Sequence, residues 1–287
     1  MQRPLSLAAL TALELSPPDL VSTAAEAGYT HVGLRLIPAT PTEPQHPMVG
    51  DTPMVRETRA RLDATGVRVL DVEIFRLKPG TRVDDDYRPA IETGAWLGAK
   101  NLLVAANDPD RSRLVDRFAA ICDLAARYGM AAHLEFMPWT DAKDLAQAAA
   151  VVDAAARPNG AILVDAFHLS RSRGLPEDIA RHSPSHFRYA QLCDVPAAIP
   201  PTMDAILAQA RAERRFAGEG ELDLVALIRA LPPGIPLSLE VPTLELAKTV
   251  PALERARRAL AGARAVLARA HGTESARGKT STTRVDS

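Results

Sequence analysis

Four short apolar runs in the second half of the chain each carry an acidic or amide side chain near their carboxyl ends. These side chains are Glu135 in HLEF, Asp165 in AILVD, Gln191 in AQLCD and Glu240 in LSLEV. Acidic residues are rarely buried unless they pair with a cation or bind one. If the four runs are neighbouring strands, their three acids need a positive centre, and the residue types predict a bound divalent metal ion.

Each of these residues also has a plainer structural explanation. An aspartate directly after a strand, such as Asp165, is more often the N-cap of the next helix than a metal ligand. A buried amide such as Gln191 can simply satisfy backbone groups. Glutamate is a poor cap and a poor strand former, so Glu135 and Glu240 are harder to explain structurally. The four residues together favour metal binding more than any one of them does.

The elements that would position these residues alternate regularly along the chain. Short runs rich in leucine and β-branched residues start at Leu5, Thr30, Val67, Asn101, Met130, Ala161, Phe187 and Ile235. Helical patterns lie between them, and several end in glycine. Strand and helix in alternation imply parallel strands with right-handed crossovers. Eight such units within about 250 residues predict a closed (β/α)8 TIM barrel of the α/β class, as one domain over residues 1–270.

An open doubly wound sheet is the main alternative to the barrel. It is disfavoured because the segment after the first strand, LAALTALELSPP, contains neither GxGxxG nor GxxxxGK to bind a phosphate. In a closed barrel the active site lies at the carboxyl ends of the strands. The four polar residues fall at that end.

The composition is that of an ordinary soluble protein. Its 34 Lys and Arg against 35 Asp and Glu leave a formal net charge of -1, which gives no global attraction for nucleic acid. Cys122 and Cys193 are far apart in sequence, so no disulfide framework is predicted and the cytoplasm is the simplest compartment. Pro4 and Glu14 interrupt the only apolar N-terminal stretch, which argues against a signal or membrane span. The polar residues 271–287 are predicted to form a disordered tail.

The eightfold alternation, together with HLEF, VDAFH, QLCD, RRFAGEGELD and SLEVP, resembles the xylose isomerase-like TIM-barrel superfamily of sugar phosphate isomerases and epimerases. The resemblance covers nearly the whole chain apart from the tail. Members typically hold one divalent metal with Glu, Asp, His and Glu from strands five to eight. The matching positions imply the ligands Glu135, Asp165, Gln191 and Glu240. Gln191 replaces the usual histidine, and an all-oxygen set favours Mn2+ or Mg2+ over Zn2+.

The resemblance also implies two substrate contacts. His168 follows Asp165 by three residues, and Arg214 precedes the first glycine of GEG by four. The plainer explanations are a first-turn helix residue facing solvent for His168 and a solvated member of the run RAERR for Arg214.

Strand phase directs three further polar residues toward the mouth of the barrel. These are Arg35, Glu73 and His133, the last of which shares a face with Glu135 because side chains alternate along a strand. Arg35 could form a structural ion pair with Glu73, or it could face a substrate carboxylate, phosphate or hydroxyl group. The Pro-rich segment after the second strand, PATPTEPQHPMVGDTP, is long enough to be a lid or a surface excursion.

A metal ion between two glutamates is suited to proton transfer next to a carbonyl. The ion would polarise a substrate carbonyl and stabilise the enediolate that forms when a carbon-bound proton leaves, with Glu135 and Glu240 as acid and base. The first hypothesis is therefore a metal-dependent isomerase or epimerase of a sugar or sugar-like polyol. The alternative is a lyase or dehydratase that acts by β-elimination on a keto sugar, cyclitol or dehydroshikimate-like acid.

Two further classes are less well supported by the sequence. A DNA-repair endonuclease with this barrel would need a histidine-rich zinc site and basic loops, whereas the chain has seven histidines, most of them away from strand ends. A ligand-binding barrel without catalysis would not need a nearly complete ligand set. The expected partner is a small polyol or keto-sugar substrate, with no nucleic acid and no membrane, and no sequence feature fixes or excludes a homo-oligomer.

Overall fold

A computed structural model describes residues 3–272 of the chain. Eight parallel strands in this part close into one barrel in the order of the sequence, because β1 pairs with both β2 and β8. The strands are β1 (Leu5–Leu7), β2 (His31–Arg35), β3 (Arg68–Leu77), β4 (Asn101–Ala106), β5 (Ala131–Glu135), β6 (Gly160–Asp165), β7 (Ala190–Leu192) and β8 (Leu237–Leu239). The predicted (β/α)8 barrel is therefore confirmed.

Helices surround the barrel between the strands. They are α1 (Pro17–Ala27), α2 (Pro53–Thr65), α3 (Val83–Leu97), α4 (Arg111–Ala126), α5 (Leu145–Ala155), α6 (Ala166–Arg171), α7 (Met203–Ala212), α8 (Leu224–Ala230), α9 (Leu244–Ala247) and α10 (Ala252–Gly272). Residues 273–287 of the predicted tail lie outside the described residues. None of the described helices is long and apolar enough to cross a membrane.

Local sequence signals fix where several helices begin and end. Ser16 and Thr52 cap α1 and α2 by accepting a hydrogen bond from the backbone N–H three residues ahead. Gly28 and Gly66 follow these helices with φ of 91° and 72°, a left-handed conformation that glycine adopts without steric cost. These helix ends determine where the next strands, β2 and β3, can begin.

The apolar core has two parts. The larger part fills the layer between strands and helices and includes Leu34, Val72 and Phe118. A smaller cluster lies inside the barrel and includes Leu70, Leu103 and Leu163. Buried polar side chains, among them Glu73, Glu135 and Glu240, also line the cavity of the candidate site.

Candidate active site and metal centre

The four strand-end residues singled out in the sequence lie at the same end of four neighbouring strands. Glu135 and Asp165 are the last residues of β5 and β6, Gln191 lies in β7, and Glu240 follows β8. Asp165 and Gln191 are register partners, and all four side chains are buried. The carboxyl ends of the strands thus gather three acids and one amide, as the barrel prediction required.

Asp165 has two roles: it caps a helix and it faces the candidate site. Its Oδ1 caps α6 by accepting hydrogen bonds from the N–H groups of Phe167 at 2.6 Å and His168 at 3.1 Å. Its Oδ2 faces the site and accepts a hydrogen bond from Nη1 of Arg214 at 2.8 Å. One carboxylate therefore both starts a helix and contributes to the candidate site.

Arg214 is the central cation of the site rather than a solvated surface residue. Its Nη2 lies 3.0 Å from Oε2 of Glu240, and its guanidinium carbon lies 4.8 Å from the centre of the Phe167 ring. Burial alone would lower the pKa of Arg214, but Asp165, Cys193 and Glu240 raise it above its ordinary value. The guanidinium therefore stays charged and compensates two carboxylates.

Gln191 and Glu240 are linked to each other. Nε2 of Gln191 donates a hydrogen bond to Oε1 of Glu240 at 3.1 Å, so both oxygens of Glu240 are engaged. The buried Oε1 of Gln191 has no hydrogen-bond partner among residues 3–272. Burial raises the pKa of Glu240 to about 7, although Arg214 acts in the opposite direction.

Glu135 and His168 lie on the side of the site where the side chains make fewer hydrogen bonds and ion pairs. Oε1 of Glu135 lies 3.6 Å from Nε2 of His168, and the Trp139 ring packs edge-on against the imidazole at 5.1 Å between ring centres. Burial and the carboxylates of Glu240 and Asp165 raise the pKa of Glu135. Burial lowers the pKa of His168 to about 3, so its imidazole is neutral near pH 7.

The donor set fits a divalent cation. Glu135, Asp165 and His168 each offer a ligand atom, and these atoms lie within 4.8 Å of one another. The free Oε1 of Gln191 adds an amide acceptor, and an oxygen-rich set of this kind suits a hard ion. His168, expected only as a substrate contact, thus lies close enough to the acids to be a ligand itself.

Arg35 and Glu73 line the cavity at the mouth and also form the ion pair that the sequence suggested. Nη2 of Arg35 lies 3.2 Å from Oε1 of Glu73, and Nη1 lies 3.0 Å from Oε2 of Glu43. Glu43 belongs to the Pro-rich segment after β2, and its Oε2 also accepts a hydrogen bond from the N–H of Ala39. This segment therefore reaches over the mouth and is anchored there by Arg35.

His133 is not brought to the mouth. It has the same strand phase as Glu135 but lies two residues earlier, so it is one layer deeper in the barrel. Its Nε2 is 2.9 Å from Oδ1 of Asn101, and its ring packs against Tyr189 at 4.6 Å between ring centres. The expectation that His133 lines the mouth is not supported, because strand phase gives the face of a residue but not its depth.

Two arginines at the cavity, Arg76 and Arg211, were missed by sequence reasoning. Arg76 donates a hydrogen bond to Oδ1 of Asn107 at 3.1 Å, and its buried Nε has no partner within the described part of the chain. Burial lowers the pKa of Arg76, and the charges of Arg35 and Arg211 lower it further. Arg76 lies near the carboxyl end of β3, in EIFR, and its position at a strand end could have indicated a site residue. Arg211 lies in α7, where no local pattern indicates such a role.

Comparison with known families gives a consistent result. A family model described as xylose isomerase-like TIM barrel matches residues 21–266. No curated protein sequence matches the chain.

Several solved structures have the same fold. A xylose isomerase-like TIM barrel/4-hydroxyphenylpyruvate dioxygenase fusion protein is 20% identical with a TM-score of 0.79, and the match covers 99% of this chain but 46% of that chain. The present chain therefore spans less than half the length of the fusion protein. The IolI protein, solved with a bound zinc atom, is 18% identical with a TM-score of 0.76, and the match covers 93% and 98% of the two chains.

Two further structures carry the names of different activities. D-allulose 3-epimerase from Methylomonas sp., in complex with D-allulose, is 18% identical with a TM-score of 0.67, covering 92% of this chain and 97% of that one. The probable 3-DHS dehydratase AsbF from Bacillus anthracis is 16% identical with a TM-score of 0.70, covering 89% and 97%. Identities this low establish a common fold only.

Proposed function

Because the chain belongs to the family of xylose isomerase-like TIM barrels, we propose that it is a divalent-metal-dependent enzyme that removes a carbon-bound proton next to a carbonyl group of a hydroxylated substrate. The observation that carries this proposal is the buried cluster of Glu135, Asp165 and His168 at the strand ends, where ligand atoms lie within 4.8 Å of one another. Glu135, Asp165, Gln191 and Glu240 would hold the ion, with His168 beside them. When bound, the ion would withdraw electrons from a substrate carbonyl and so acidify the adjacent C–H bond.

Glu135 is the residue best suited to accept the proton. Its raised pKa brings it closer to neutral pH, where a general base is most effective. Its Oε1 lies 3.6 Å from Nε2 of the neutral imidazole of His168. Arg214, which contacts both Asp165 and Glu240, would bind a substrate oxygen through an N–H group that these contacts do not use.

The contacts of the two glutamates favour elimination, rather than epimerisation, as the step that follows proton removal. Epimerisation returns a proton to the opposite face of the same carbon, which requires a second free acid. Glu240, the other candidate, has one oxygen bound by Arg214 and the other by Gln191. With Glu135 as the proton acceptor, the site suits β-elimination. Glu135 takes the C–H proton, the electron pair left on carbon forms a C=C bond as the C–O bond on the neighbouring carbon breaks, and Glu135 passes the proton to the leaving hydroxyl, which departs as water.

The charges at the mouth support an acidic substrate. Arg35 is compensated by Glu73 and Glu43, whereas Arg76 and Arg211 have no ion pair within the described part of the chain. Two such cations near one cavity favour a carboxylate or phosphate group on the substrate. We therefore infer a lyase or dehydratase acting on a hydroxylated keto acid, and the dehydratase among the structural relatives is consistent with it.

An isomerase or epimerase of a sugar or sugar-like polyol is the second candidate. It is favoured by the pKa of Glu240, about 7, which would suit a second acid if substrate binding released its carboxyl group. The epimerase among the relatives is consistent with this outcome.

Product analysis separates the two outcomes. The purified chain, loaded with Mn2+, is incubated with hydroxylated keto acids and with keto sugars, and products are identified by NMR. A new carbon–carbon double bond with loss of water supports the lyase. An epimer or an aldose–ketose pair supports the second candidate, and no metal-dependent conversion of either substrate class would contradict both.

A further inference from the structure

Besides His133 and its partner Asn101, the middle of the barrel below the candidate site contains four buried polar residues. They are Ser6 in β1, Asp71 in β3, Tyr189 just before β7 and Ser238 in β8, and we call them the buried polar layer. Bulky aliphatic residues are usual at this depth in (β/α)8 barrels. The layer is therefore a departure from the packing that the fold requires.

The layer is aligned with the candidate site by strand geometry. Asp71 precedes Glu73 by two residues, and Ser238 precedes Glu240 by two, so each pair shares a strand face. Ser6 and Ser238 are register partners between β1 and β8, and Ser238 is also the register partner of Gln191. The layer thus lies directly below the side chains of the site.

Four oxygen atoms of the layer lack partners. They are Oγ of Ser6, Oδ1 of Asp71, the hydroxyl of Tyr189 and Oγ of Ser238, all buried and without a hydrogen bond to any described residue. Buried polar groups in folded proteins are nearly always paired, and where protein partners are missing the partner is ordered water. Four such atoms in one layer point to bound water rather than to chance.

The backbone around Asp71 makes room for its carboxyl group. The register between β2 and β3 shifts at this point, because Val32 pairs with Val69 and Gly33 pairs with Asp71. A Cβ atom at Gly33 would lie 3.0 Å from Oδ1 of Asp71, tighter than ordinary contacts. A bulge of this kind redirects a side chain, and here it directs Asp71 into a space that a glycine leaves open.

The charges that face Asp71 favour its neutral form. The carboxyl groups of Glu73 on the same strand and Glu240 after β8 lie nearby, and burial, together with these two groups, raises the pKa of Asp71 well above its ordinary value. Arg35 on β2 acts in the opposite direction, but it is engaged by Glu73 and Glu43. On the β7 side Asp71 faces the phenol of Tyr189, whose pKa is raised by burial and which is therefore neutral. Beyond that phenol the His133 ring packs against Tyr189, and burial keeps this imidazole neutral as well.

We propose that Asp71 is a positioning residue: its carboxyl group binds ordered water together with Ser6, Tyr189 and Ser238, and this water layer supports Glu73 and Glu240 from below. The effect on catalysis rests on the proposed function, whereas the neutral acid and its water do not. A neutral Asp71 provides a hydrogen-bond donor under a site that already contains several carboxylates, without adding another negative charge.

The test compares Asp71→Asn with the wild type by thermal unfolding between pH 4 and pH 8, with the same metal loading. In the unfolded chain Asp71 ionises near pH 4, whereas in the folded protein it keeps its proton to higher pH, so the wild type loses stability as pH rises through this window. Asn cannot ionise. The midpoint of Asp71→Asn relative to wild type should therefore rise with pH, until Asp71 ionises in the folded protein as well.

A control and a second variant sharpen the test. Asp108 is also buried but is paired with Arg113 and Arg117, so Asp108→Asn should lower the midpoint throughout this range. Asp71→Leu removes the water ligand and should lower both the midpoint and kcat, with little change in KM. Midpoints of Asp71→Asn and wild type that differ by the same amount at every pH would overturn the proposal. So would a crystal structure showing no water within hydrogen-bond distance of Asp71. Neither result depends on which reaction the enzyme catalyses.

Discussion

The guanidinium of Arg214 lies 2.8 Å from the Oδ2 atom of Asp165, a residue 49 positions earlier in the chain. The same guanidinium reaches Glu240, so one buried cation joins the carboxyl ends of β6 and β8. The contact converts two residues that the sequence suggested as metal ligands into a pre-arranged pair. Arg214 therefore stabilises the fold in addition to lining the site.

Replacement of Arg214 by Gln should lower the free energy of unfolding by about 3 kcal/mol or more, because loss of one partner leaves buried carboxylates uncompensated. The measurement is urea unfolding with a chelator present, so that metal binding does not mask the loss. Arg211→Gln is the matched control, since Arg211 is exposed, and its effect should stay within about 0.5 kcal/mol. Equal effects of the two variants would argue against this role of Arg214.

Asp165 and His168 should differ in their effects on metal content. Asp165→Ala removes both a proposed metal ligand and the cap of α6, so metal and turnover should both be lost. His168→Ala should keep the metal and lose turnover if His168 contacts substrate. Elemental analysis after gel filtration measures the ion directly. Loss of metal from His168→Ala would instead make His168 a ligand, as its closeness to Glu135 and Asp165 allows.

Arg76 and Arg211 should determine affinity for acidic substrates. A charge-assisted hydrogen bond contributes about 1.5–3 kcal/mol, so Arg76→Gln should raise KM for a hydroxylated keto acid by roughly tenfold or more with a smaller change in kcat. Arg211→Gln should act in the same direction. Arg264→Gln, on the outer face of α10, is the control and should leave KM unchanged. An unchanged KM in both test variants would remove the support for an acidic substrate.

His133 should make the fold sensitive to acid. Burial, with a smaller effect of Arg188, lowers its pKa to about 3, while in the unfolded chain the value is near 6.5. Its contribution is therefore complete above pH 6.5 and is lost as pH falls toward 3, by about 1.4 kcal/mol per pH unit. Between pH 7 and pH 5 the wild type should lose about 2 kcal/mol more than His133→Gln does. His271→Gln, at an exposed position, should follow the wild type, and parallel pH curves for wild type and His133→Gln would refute the claim.

The fold could be predicted from the sequence because alternation of strand and helix patterns leaves few topologies. The strand-end acids could be predicted as well, since the barrel places all carboxyl ends of its strands together. Asp165 could not be resolved between cap and site residue because its two oxygens do both. A sequence position does not show how two oxygens of one group are used.

The rest of the site depends on contacts that no local pattern encodes. Glu43 reaches Arg35 from an irregular segment, and Arg211 comes from a helix whose charges look like an ordinary solvated surface. His133 has the predicted phase but lies one layer too deep. Phase along a strand is a local property, whereas depth depends on how the strands are staggered around the barrel.

Deuterium exchange at carbon tests the central claim most directly. The chain loaded with Mn2+ and the Glu135→Gln variant with verified metal content are incubated in D2O with a hydroxylated keto acid, and carbon-bound deuterium is measured in substrate and product by NMR. We predict metal-dependent loss of one carbon-bound proton in the wild type and none in Glu135→Gln. Equal loss in both proteins, or loss that persists after the metal is removed with a chelator, would contradict the account.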